Sequence, residues 1–125
     1  MEQLRILLVD DEVDFASALA ERLVLRGFQA EVATSGLDAA RHVRENDFSV
    51  LVLDVKMPGI DGLGLMAEIK RKRPDLPVIL LTGHGSVADA ETGMKEGAFD
   101  YLMKPIDIDE LIEKIRNAVG REKGK

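Results

Sequence analysis

The chain has 125 residues, 46% hydrophobic and 32% charged, which suits one packed domain with a polar surface. It contains no cysteine, so disulfides, zinc-thiolate sites, iron–sulfur clusters and thiol nucleophiles are excluded. With 17 Lys+Arg against 23 Asp+Glu (net −6) and only 4% aromatics, it lacks the basic footprint and stacking residues of a nucleic-acid or flavin site.

Along the chain, short apolar runs alternate with helical patterns. The first run covers residues 6–9 and follows Met1 closely, with no signal peptide ahead of it, so the expected location is the cytoplasm. Phe15, Ala18, Leu19 and Leu23 then recur at helical spacing, and Gly27 stands where a C-cap belongs. A weaker strand is expected at Gln29–Ala33 and a helix at Gly36–Glu45, where His42 lies among charged residues and reads as exposed. Residues 50–53 form a second apolar run, and Pro58-Gly59 marks a turn. Leu63, Met66 and Ile69 share a helical face; residues 78–81 form a third apolar run, and a helix is expected over 87–96, closed by Gly97. A last strand at 99–103 precedes a helix capped by Asp107 with Leu111, Ile112, Ile115 and Val119 on one face. Gly120 reads as its C-cap, and residues 120–125 as a polar tail or the start of a linker. No apolar run approaches the ~20 residues of a membrane span. Strands that are continuous Val/Ile/Leu runs are buried on both faces, so the alternating order predicts a parallel sheet covered by helices on both sides.

In such a sheet all carboxyl ends share one edge, and ligands bind there where the winding reverses. The residues that follow the runs are Asp10, Asp11 and Glu12, then Asp54, then Thr82, then Lys104. Singly, each has an ordinary explanation as a helix cap, strand end, turn or solvated charge. Together they gather carboxylates at one edge, and clustered carboxylates stay ionised only beside compensating cations. Lys104 supplies one charge. With oxygen ligands alone, a hard divalent ion such as Mg²⁺ is the expected second cation. A carboxylate, a hydroxyl, a lysine and Mg²⁺ suit phosphoryl transfer, with Asp54 as nucleophile and Lys104 and Thr82 on the phosphoryl oxygens.

The segments Ile6-Leu7-Leu8-Val9-Asp10-Asp11-Glu12, Leu53-Asp54-Val55-Lys56-Met57-Pro58-Gly59-Ile60-Asp61-Gly62, Leu81-Thr82-Gly83 and Tyr101-Leu102-Met103-Lys104-Pro105 stand in order at the expected strand ends. Through them, residues 4 to about 119 resemble the receiver domain of bacterial two-component response regulators, so that 1–119 is expected to be one receiver domain. The resemblance implies a flavodoxin-like α/β fold with a five-stranded parallel sheet in the order 2-1-3-4-5. It implies Asp54 as phosphoacceptor, and Asp10, Asp11, Asp54 and the backbone carbonyl of Lys56 as Mg²⁺ ligands. Thr82 and Lys104 are implied as phosphate-binding groups, Thr82 and Tyr101 as the switch pair, and a cis peptide is implied before Pro105. A histidine kinase or phosphotransfer protein is the implied donor. The readout is the surface of the last two helices and the fifth strand, acting on an output domain or partner, with a phosphorylation-dependent homodimer as one form.

Lys56 and His84 occupy variable positions of the family that border the path of the hydrolytic water, so they are expected to set the lifetime of the phosphorylated state. Two glycines in Gly83-His84-Gly85-Ser86 make rearrangement beside Thr82 easy. This loop, with Lys104-Pro105-Ile106-Asp107, resembles receivers attached to transcriptional activators. Three alternatives differ in their marks. A haloacid-dehalogenase-like phosphatase wants a second Asp two residues after the nucleophile, where Lys56 stands. A flavodoxin wants a phosphate-cradling loop after the first strand, where three acids stand. A phosphorylation-independent interaction module would not need a complete acceptor set.

Overall fold

The computed structural model describes residues 3–57 and 60–123, with Ile60, His84 and residues 121–123 described in backbone only. The strands are β1 (Arg5–Val9), β2 (Gln29–Ala33), β3 (Val50–Asp54), β4 (Lys56–Met57), β5 (Ile60–Asp61), β6 (Val78–Thr82) and β7 (Asp100–Met103). The helices are α1 (Val13–Leu25), α2 (Gly36–Glu45), α3 (Gly62–Lys72), α4 (Val87–Lys95) and α5 (Ile108–Lys123). Strands β2-β1-β3-β6-β7 form one parallel sheet. This is the expected order, because β4 and β5 pair only with each other, as a two-stranded antiparallel hairpin. The Pro58-Gly59 turn lies outside the described residues.

The continuous apolar runs are explained by two cores. Leu7, Val9, Leu51, Leu53, Val78 and Leu80 face one side of the sheet, packed with Ala39, Val43, Leu65, Met66, Ile69 and Ala90 from α2, α3 and α4. Ile6, Leu8, Val50, Val52, Ile79 and Leu81 face the other, against Leu19 and Leu23 of α1 and Leu111, Ile112 and Ile115 of α5. Successive residues of one strand serve opposite cores, so neither face can be polar. Burying a Leu or Ile in either core contributes on the order of 1.5–3 kcal/mol.

Four helix ends follow local chemistry. Ser35 Oγ accepts from Asp38 N at the start of α2, and Asp107 Oδ1 accepts from Asp109 N and Glu110 N at the start of α5. Gly27 and Gly97 follow α1 and α4 with φ of 96° and 119°, the left-handed C-cap conformation. Three expectations are corrected. Gly120 does not cap α5, which continues to Lys123; with open space around its Cα, nothing there forces the chain out of the helix. Ala18 is exposed and Ala16 is buried instead, while Phe15, Leu19 and Leu23 face the core as expected. His42 is not exposed: its Nδ1 lies 2.9 Å from Asp38 O, and its Nε2 lies 3.8 Å from Glu31 Oε1 on β2. No helix among the described residues is long and apolar enough to cross a membrane.

Candidate functional site

The chain leaves β1 for β2 on one side and later for β3 on the other, so the winding reverses between β1 and β3. Val9 is in register with Leu53, and Asp54 with Leu81. Asp10, the residue after β1, and Asp54, the last of β3, therefore emerge side by side in the crevice where ligands bind in such sheets. Neither acid is merely a helix cap. Asp10 Oδ1 accepts from Glu12 N at 2.9 Å, closing a turn ahead of α1, and Asp54 Oδ1 accepts from Lys56 N at 3.1 Å. Asp10 is 2% exposed and Asp54 5%.

Lys104, at the end of β7, ties the site together. Its Nζ donates to Glu12 Oε1 at 2.7 Å, Asp10 Oδ2 at 3.1 Å and Asp54 Oδ2 at 3.3 Å, and it lies 4.4 Å from the centre of the Phe15 ring. The peptide bond that follows, Lys104–Pro105, is cis. Burial pulls the Lys104 pKa down, but its hydrogen bonds to Glu12 and Asp10 and the charges of Asp10 and Asp54 outweigh burial and hold it above the ordinary lysine value. Asp10 is pushed up to about 6, mainly by burial, with the charge of Asp54 adding to it and the Glu12 N–H and Lys104 opposing it. One ammonium thus faces a crowd of carboxylates without neutralising it.

One oxygen each from Asp10, Glu12 and Asp54 lie within 4.8 Å of one another, close enough to hold a metal ion. The donors are all hard oxygens, which suit Mg²⁺ or a similar ion. Asp11 stands outside that trio but lines the same cleft, of about 430 Å³, with Glu12, Asp54, Lys56 and Lys104. Glu12 was not singled out as a site residue from sequence, although it ends the run Asp10-Asp11-Glu12. The Lys56 side chain is exposed and borders this cleft. His84 opens a short 3₁₀ turn, His84–Ser86, and its side chain lies outside the described residues.

Thr82 ends β6 fully buried. Its Oγ1 is 2.5 Å from Ser86 Oγ and 3.1 Å from Gly83 O. Ser86 also lines the cleft, and no local signal in the sequence set it apart from an ordinary loop serine. Tyr101 is partly buried on β7 and packs against the core beneath α2–α4, one strand from Thr82. Gly62 brings α3 so close that a Cβ there would lie 2.4 Å from Val55 O, which fixes α3 against the residue after Asp54. The structure thus brings Asp10, Asp54 and Lys104 into direct contact, places Asp11 and Lys56 on the same cleft, and sets Thr82 and Tyr101 behind it.

Comparison with known proteins gives one consistent result. A family model for the response regulator receiver domain matches residues 6–116. A putative NtrX-like response regulator of Rickettsia felis is 38% identical over 120 residues, covering 94% of this chain and 25% of that protein. The transcriptional regulatory protein TcrA of Mycobacterium tuberculosis is 40% identical over 112 residues, covering 90% of this chain and 44% of that one. Among solved structures, a response regulator receiver domain protein of Clostridium thermocellum superposes with a TM-score of 0.91 at 38% identity, covering 96% of this chain and 97% of its own. The receiver domain of NtrX from Brucella abortus gives 0.87 at 34% identity, over 91% and 97%. The chain spans between a quarter and a half of the length of these curated relatives.

Proposed function

The chain belongs to the response regulator receiver family, and from that membership we propose that it is a phosphorylation-dependent switch whose acceptor is Asp54. The observation that supports this most is the meeting of Asp54, Asp10, Glu12 and the Lys104 ammonium at the reversal point of the sheet. In this reading Asp54 Oδ attacks the phosphorus of a kinase phosphohistidine, the N–P bond breaks, and the imidazole departs. Lys104 keeps its proton throughout and offers it to the phosphoryl oxygens, exchanging carboxylate partners for phosphate. Asp10, Asp11 and Asp54, with the Lys56 carbonyl, would hold Mg²⁺, and Glu12 is close enough to join them. Bound there, Mg²⁺ supplies the positive charge that one lysine lacks against incoming phosphoryl oxygens.

Thr82 then turns toward the phosphoryl group and Tyr101 moves into the space it leaves, altering the surface of α4, β7 and α5. The output passes to a further domain or a partner protein. Relatives named as transcriptional regulators favour gene control as that output. Residues 1–119 act as the receiver and 120–125 lead out of it, in the cytoplasm. Lys56, which borders the cleft, and His84 set the lifetime of the modified state.

Treatment with a small phosphodonor and Mg²⁺ is expected to label the wild type and leave Asp54→Asn unlabelled; equal labelling of the two proteins rejects the reading. Lys56→Asn and His84→Ala are expected to change the dephosphorylation rate several-fold, and unchanged rates remove both from the mechanism.

A further inference from the structure

Ser86 stands at the N-cap of α4, where a serine hydroxyl ordinarily accepts from an amide of the helix's first turn. Ser35 does this for α2 and Asp107 for α5. Ser86 does not. Its hydroxyl turns back into the protein, 2.5 Å from Thr82 Oγ1, accepting from Gly83 N at 3.2 Å and lying 3.3 Å from Gly83 O. The pair is sealed from solvent, with Thr82 0% and Ser86 4% exposed. α4 therefore starts without its cap, while the hydroxyl that could supply it holds the one on Thr82.

We propose that Ser86 is a positioning residue that exchanges partners during switching, a step that rests on the reading of Asp54 as phosphoacceptor and Thr82 as switch. In the unmodified protein Ser86 holds Thr82 back. When Thr82 is drawn to a phosphoryl group on Asp54, the Ser86 hydroxyl is released and caps α4 through the amide of Ala88 or Asp89. The Ser86 hydroxyl gives up Thr82 Oγ1 and the Gly83 amide and gains an amide of α4, while Thr82 gains a phosphoryl oxygen, so the exchange is close to balanced and a phosphoryl group can tip it. The start of α4 thereby reports the state of Asp54 without contacting it.

Amide hydrogen exchange with beryllofluoride and Mg²⁺ as the phosphoryl mimic tests this. In the wild type, beryllofluoride is expected to slow exchange at Ala88 or Asp89 about five-fold or more. Ser86→Ala is expected to lose that slowing yet bind beryllofluoride about five-fold more tightly, since Thr82 is then held back only by its bond to Gly83 O. Ser86→Thr restores the slowing. In Thr82→Val, which frees Ser86 from the outset, the same amides are protected before beryllofluoride is added. Ser86→Ala that matches wild type in both affinity and protection overturns the exchange, as does Thr82→Val without early protection. A wild type that does not bind beryllofluoride overturns the phosphoacceptor reading itself, and the exchange with it.

Discussion

Asp10 shows how the site and the fold pull against each other. Its carboxyl sits at about 6 in the fold against an ordinary 3.8. Between those values the folded state binds the extra proton, so stability falls as pH rises through that window, and the loss is complete at neutral pH. Replacing the carboxylate with an amide removes this penalty while Lys104 keeps Glu12 and Asp54 as partners. Metal-free Asp10→Asn is expected to exceed the wild type in stability by about 1–3 kcal/mol near pH 7, with the gap closing toward about pH 4. Urea unfolding at the two pH values checks this; a variant less stable than wild type near neutrality contradicts it. Residue by residue, the legible part of the site was what ended a strand. Asp10, Asp54, Thr82 and Lys104 follow apolar runs, and strand ends in a parallel sheet share one edge. Glu12 and Ser86 were harder to see, since their roles depend on where a side chain turns after the strand is over. His42 departs from its helical pattern for a related reason: its neighbours Glu31 and Phe48 belong to other parts of the chain, invisible from the pattern of its own helix.

At the scale of elements, the period of the apolar residues was a sound guide where it ran long enough. β1, β3 and β6 match expectation because the two cores require uninterrupted Val, Ile and Leu; the weaker strands β2 and β7 and the α2 boundaries match as well. The hairpin of β4 and β5 leaves no mark in the sequence pattern, since two-residue strands show no period. At α5 a glycine has the position of a stop signal but does not act as one. Glycine ends a helix only when the chain adopts a left-handed turn there, as at Gly27 and Gly97; Gly120 stays inside the helix and merely weakens it. Gly120→Ala is therefore expected to stabilise the protein by about 0.5–1 kcal/mol, read as a rise in thermal midpoint. A fall would show that the position needs glycine after all.

For the whole molecule, the sheet carries the argument. Parallel strands bring the ends of β1, β3, β6 and β7 to one edge, so residues far apart in sequence form one site. Lys104 spans 94 positions to reach Asp10 and 50 to reach Asp54. Within the excess of acids over bases, three, Asp10, Glu12 and Asp54, crowd Lys104. β7, which presents Lys104, is next to β6, which presents Thr82, and Lys104 N donates to Thr82 O at 2.8 Å. In the proposed reading, a phosphoryl group on Asp54 would therefore act on the strands that lead into α4 and α5. The most direct measurement is fragmentation mass spectrometry of the wild-type chain after exposure to a small phosphodonor. The account predicts an acyl phosphate on Asp54 with Mg²⁺ present and none once a chelator is added. A phosphoryl group on any other residue, or equal labelling of Asp54 without the metal, would contradict it.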